Sequence, residues 1–408
     1  MTGWTSSDIF LRALDGSRDT RTRIRAVSPL YGLRYGIPSC CYNVTENLDR
    51  SRFDAQCWFP GADDAVSSRH TVRLAMPRLA YRAYCKMKGG REALRGLIEW
   101  RYLRELRPGT IAWVWPDMTP GLLRTLKRRG YPIALERVNS AVASARELLE
   151  AKAAQLGLPA GHTITSKLIE QEALELECAD YVFACSPFVE DSFLKAGVAP
   201  DRLRRCTFGW DPGTFTVKPR ELHACDRPVF LFVGTGCLRK GLPDLLEHWE
   251  RASLHATLRI VGPIDASIAE RYARVLSRPD VEAVGMKLTI VEEYERAHVF
   301  VLPSIEEGSP LVTYLALASG IPSLVSYPAA GGVVQDNVEG LVRDPEQRSS
   351  FQEALAQLAT DTELRERLGR AAREASERYT WPRVAANRGE IFAAIAGRQS
   401  VPRVIGRQ

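Results

Sequence analysis

The chain has 408 residues, 45% of them hydrophobic and 25% charged, with a net charge of +6, an ordinary balance for a soluble globular protein and more length than one hydrophobic core usually occupies. No run of eighteen apolar residues is present and the first nineteen residues are polar and broken by charge, which argues against a membrane span or a signal peptide and for a cytoplasmic location. Nine cysteines without a CxxC pair and six dispersed histidines without paired-ligand spacing predict reduced, mostly buried thiols, no tightly held metal and no cofactor.

In chain order, strands are expected over 23–28, 54–59, 111–116, 132–136 and 179–186, and helices over 41–48, 121–130, 141–156 and 187–197. Between the first strand and helix lies the loop PLYGLRYGIPS, in which Gly32 and Gly36 permit close backbone approach. Over 69–107 bases outnumber acids heavily, with Tyr81, Tyr84, Trp100 and Tyr102 interleaved. The plainer reading of that stretch is a solvated helix face, and the functional one is a peripheral contact with an anionic membrane surface. Nothing resembles a nucleic-acid-binding module.

The segment 217–228 has two prolines and no period, and reads as a linker. Beyond it strands are expected over 229–234, 257–262, 281–285, 298–303 and 322–326, with helices at the end over 347–359, 362–378 and 381–396. Such alternation predicts an α/β protein with two doubly wound parallel sheets, whose strand ends share a crevice. Within PSIEEGSPLVTYLALASG (303–320), Ser309 is expected to cap a helix, Pro310 to open it and Gly320 to end it. Its free N–H groups and positive dipole end would form an anion site, with Glu306 and Glu307 at the edge.

The pieces FLFVGTGCLRKGLPDLLEHW, LRIVGPID, YERAHVFVLPSIEEGSPLVTYLALASGIPSLVS, GGVVQDNVEGLV and ERYTWPRVAANRGEIF, in that order, resemble the nucleotide-sugar-binding domain of retaining GT-B glycosyltransferases, specifically family four. SPLYGLRYG, ADYVFACSPFVEDSFLKAGV and FGWDPGTF resemble its acceptor domain more weakly. The resemblance implies a GT-B fold of two Rossmann-like domains facing a central cleft: an acceptor domain over 1–216, the linker 217–228, a donor domain over 229–380, and a helix and tail over 381–408 packing back on the first domain. It implies metal-independent transfer of a sugar, with retention, from a nucleoside-diphosphate sugar to an acceptor of unspecified kind.

By the same resemblance, Arg239 and Lys240 clamp the diphosphate, Glu307 orients the donor sugar, and the amides of Ser309, Leu311 and Val312 reach the phosphate. Gly234, Thr235 and Gly236 border the donor, Met286 and Lys287 lie near the base, and Gly331 and Gly332 approach phosphate or sugar; taken alone, that glycine pair would be a helix start. Glu306 reads as a solvated neighbour. Gly32 and Gly36 face the cleft, while Glu136, Arg137 and Asn139 are candidates for acceptor or sugar contact.

Three departures stand out. The family's second signature carboxylate falls on Leu315, with Ser319 one turn on and Tyr314 beside it as partial substitutes. Thr235 occupies a position that often holds Arg, and the family's N-terminal His is missing near Asn139 and Ala141. They keep a second reading open, a non-catalytic GT-B paralogue acting as a binding or partner subunit; an epimerase or phosphorylase ranks below both.

Overall fold

The computed structural model describes residues 20–33, 36–85, 90–217 and 227–397. Most of the expected linker, the tail beyond 397 and Cys225 lie outside these residues. Cys40, Cys41, Cys57, Cys178, Cys185, Cys206 and Cys237 are free thiols, all but the last of them buried.

Two all-parallel sheets organise the chain. The first has the order β3-β2-β1-β4-β5-β6-β7, with β1 at Thr22–Val27, β2 at Phe53–Phe59, β3 at Val72–Leu74, β4 at Ile111–Val114, β5 at Ile133–Arg137, β6 at Tyr181–Ala184 and β7 at Leu203–Arg205. The second has the order β10-β9-β8-β11-β12-β13, with β8 at Val229–Val233, β9 at Thr257–Val261, β10 at Val281–Gly285, β11 at Val299–Leu302, β12 at Ser323–Val325 and β13 at Gly340–Val342. Helices cover both faces, so central strands are apolar throughout: every residue of β4 and β11 is buried. The strand order reverses between β1 and β4 and again between β8 and β11, and crevices open at the carboxyl ends of such strands.

The last helix, Trp381–Ala396, crosses back to the first sheet. Phe392 packs 5.4 Å from Trp113 and 5.6 Å from Phe183 between ring centres. Arg388 enters the same core and pairs with Glu136 at 2.6 Å, with the two side chains 1% and 0% exposed. Glu136 also accepts from Trp113 Nε1 at 2.8 Å. An ion pair this deep persists because Glu136 has a second donor besides its partner and the Arg388 guanidinium lies over the rings of Trp113 and Phe183. Glu136, expected at the cleft, is therefore a core residue: its position in the sheet aims it under the closing helix.

The lobes meet at several points. Ser140, just past β5, donates its N–H and hydroxyl to Glu306 at 3.1 and 2.8 Å. The Phe208 N–H donates to the Tyr314 hydroxyl at 3.0 Å. Lys152, on the helix Val142–Leu156, reaches Asp244 on the helix Leu242–Ala252 at 2.8 Å. Gly308 lies so close to the first lobe that a Cβ there would sit 1.6 Å from the Val138 carbonyl oxygen.

Candidate active site

The loops that follow β8 and β11 lie side by side because those strands are neighbours at the switch point. The Ile305 N–H donates to the Arg239 carbonyl at 2.8 Å. Gly241 sits in the left-handed region at φ 69, where a Cβ would lie 1.9 Å from the Pro303 carbonyl oxygen. Only glycine permits that approach. It sets Arg239 and Lys240 against Glu306 and Glu307.

Four charges are gathered there. Lys240 Nζ is 2.5 Å from Glu307 Oε1, Arg239 Nη1 is 3.2 Å from Glu307 Oε2, and the same Arg239 nitrogen lies 3.4 Å from Glu306 Oε2. The Ser304 hydroxyl adds a 3.4 Å contact to Glu307. Burial pushes the Glu307 carboxyl up, but Lys240 and Arg239 outweigh it and hold it below the usual carboxylate range. Glu306 is not the solvated neighbour expected from sequence: at 2% exposure it is buried by Ser140 from the first lobe and by Arg239.

The helix beside this cluster runs Leu311–Ser319, not from Ser309. Pro310, at ψ 120, occupies the cap position without a side-chain bond, and Gly320 closes the helix in the left-handed conformation. The Ser309 hydroxyl is engaged with the Tyr314 hydroxyl at 2.6 Å and reaches the Gly331 carbonyl at 3.4 Å, so it does not cap. Leu311 and Val312 open the helix with amides that lack an in-helix acceptor. They and Leu315 form its partly exposed face.

The other expected residues are dispersed. Gly234 lies beneath Lys240, where a Cβ would meet that side chain at 2.9 Å. Gly236 is buried against Leu242 and Ile264, and Thr235 is exposed. Met286 and Lys287 are exposed past β10. Gly331 and Gly332 end the short helix Tyr327–Ala330 rather than start one. They border a 440 Å³ cavity with Ser186, Pro187 and Arg205, apart from the one that Arg239 borders. Gly32 is buried, bridged to Ala62 in its own lobe, and Gly36 caps the helix Ile37–Asn47; the close neighbour of Gly32 is protein.

Arg239 and Glu306 border an interlobe cavity of 450 Å³, with Arg137 and Asn139 on its other side. Arg137 donates to Glu175 at 2.8 Å and lies 3.8 Å from Glu172. Burial pushes the Glu172 carboxyl up, against the pull of Arg137. Asp117, His162, Glu172 and Glu175 also line it and escape sequence reasoning. Asp117, three residues past the end of β4, is the one with a legible signal, since ligands gather at strand carboxyl ends. Among the described residues no group of His, Cys, Asp and Glu could hold a metal ion, and no helix is long and apolar enough to cross a membrane.

Residues 227–361 match the family model described as glycosyl transferases group 1. The D-inositol 3-phosphate glycosyltransferase of Xylanimonas cellulosilytica is 31% identical over 237 residues, 52% of this chain; the chain spans about half of that relative, 55% of its length. Sucrose-phosphate synthase from Thermosynechococcus elongatus superposes with a TM-score of 0.67 at 18% identity, covering 93% of this chain and 100% of that one. Anabaena HepE, in complex with UDP and glucose, does so with a TM-score of 0.65 at 14% identity, covering 92% and 100%. The chain thus has the GT-B fold, and the lobe that carries Arg239, Lys240 and Glu307 is the part that matches the glycosyl transferases group 1 model.

Proposed function

We propose that the protein transfers a sugar from a nucleoside-diphosphate sugar to an acceptor, with retention and without a metal. The observation that carries this reading is the buried Lys240–Glu307–Arg239 cluster between the ends of β8 and β11, beside the first amides of Leu311–Ser319. A departing diphosphate needs positive charge and N–H donors fixed in advance, and Arg, Lys and a helix end supply both. When a donor binds, the two cations turn toward phosphate oxygens while Glu307 accepts from hydroxyls of the sugar. The acceptor oxygen then bonds to the anomeric carbon on the face from which the phosphate oxygen departs. The departing phosphate takes the acceptor proton, giving a glycoside and a nucleoside diphosphate. The UDP and glucose held by the Anabaena neighbour support this class of donor.

Glu307→Gln and Lys240→Ala are each expected to lower transfer by about 10²–10³-fold, the scale of losing one transition-state donor. Released nucleoside diphosphate and glycoside are measured, and circular dichroism checks that the variants fold. Wild-type turnover in both variants would remove the assignment.

One observation favours a non-catalytic binding role instead. Leu315 offers no acceptor to a ribose, and the buried Ser319 hydroxyl, which donates to the Leu315 carbonyl at 2.7 Å, offers only a neutral oxygen in place of a carboxylate. A thermal-shift panel of nucleotides and nucleotide-sugars, read beside release of nucleoside diphosphate, separates the readings: stabilisation with release supports the transferase, and no release with any donor supports the other.

A further inference from the structure

We infer that the 450 Å³ interlobe cavity receives a neutral, polyhydroxylated acceptor, an uncharged sugar or cyclitol, and disfavours the phosphorylated counterpart. The inference rests on the transferase reading above and names the acceptor class for that site. Four carboxylates border the cavity, Asp117, Glu172, Glu175 and Glu306, against two guanidinium groups, Arg137 and Arg239. Neither guanidinium group is spare for an acceptor. Arg137 lies between Glu175 and Glu172, and Arg239 lies between Glu306 and Glu307 until, in the reading above, the donor diphosphate takes it. An anionic ligand would thus meet carboxylates with no spare cation, an arrangement that interfaces use to reject partners.

Hydroxyl groups suit such a lining, because each donates its proton to a carboxylate and carries no charge that the carboxylates repel. Asp117 is well placed for this: it is exposed at the carboxyl end of β4, with its backbone in the left-handed region at φ 70. Val142, Leu149 and Leu168 supply an apolar wall suited to the C–H face of a ring. The volume falls in the range of small-molecule sites, and the cavity ends at Arg239 and Glu306, next to the proposed donor site.

The test is saturation-transfer difference NMR on the full chain with two probes, methyl α-glucoside and glucose 6-phosphate. The glucoside is expected to bind, with the phosphate weaker by about tenfold or more. Asp117→Asn, an exposed change that leaves the core untouched, is expected to narrow the gap between glucoside and phosphate, and Glu172→Gln to narrow it further. Equal or tighter binding of the phosphate, no binding of the glucoside, or a gap unmoved by both substitutions would overturn the inference. Nucleotide binding on the same preparation is read by thermal shift, so loss of the donor assignment and loss of this acceptor assignment give different results.

Discussion

At the scale of single residues, Leu315 poses the sharpest chemical question. It stands on the partly exposed face of Leu311–Ser319 together with Leu311 and Val312 and offers no hydrogen-bond acceptor there, while Ser319, buried and donating to the Leu315 carbonyl, has only a neutral oxygen to offer in its place. Leu315→Glu is expected to tighten nucleoside-diphosphate binding by about tenfold, the worth of a charged hydrogen bond. Calorimetric titration checks it, and unchanged or weaker binding would place the ribose elsewhere. Tyr314, the neighbour that sequence offered as a substitute, faces the other lobe and joins Ser309 and Phe208.

Among elements, the two loops after β8 and β11 decide whether a site exists. Gly241→Ala forces a Cβ into the Pro303 carbonyl at 1.9 Å and strains a left-handed backbone. It is expected to cost about 1–3 kcal/mol and to abolish nucleotide binding, read by urea unfolding and thermal shift; intact binding would show that loop contact is dispensable. The strands behind these loops were legible because a strand buried on both faces must be apolar throughout, as in IAWV and VFVL. Shorter ones were not: LRR in β7 and GLV in β13 are strands because a neighbour pairs with them, and three residues carry no period. The helix Ser166–Cys178, which contributes Glu172 and Glu175 to the cavity, likewise escaped notice, its acidic sequence SKLIEQEALELEC showing no clear apolar face. The cation loop and Glu307 could be singled out from local order in the chain. The burial of Glu306 could not, since the serine that buries it is 166 residues away.

For the molecule as a whole, closure is held by a few polar links. Lys152, 5% exposed, joins Asp244 at 2.8 Å and Glu346 at 3.3 Å across the lobes. Lys152→Met leaves Asp244 buried without its cation, a cost of about 3–5 kcal/mol that opening into water would relieve. The variant is expected to show a larger radius of gyration by small-angle scattering, and an unchanged value would count against the link as a latch. The Arg388–Glu136 pair binds the chain in a different dimension, that of time. Synthesis proceeds from the amino end and domains tend to fold as they emerge, yet the carboxylate at the centre of the first sheet is answered only by a guanidinium 252 positions later. Until the final helix is translated, the face of the first lobe that it covers stays open to water, and Glu136 has the Trp113 N–H but no cation beside it. A premature stop before Arg388 would thus cripple the lobe made first.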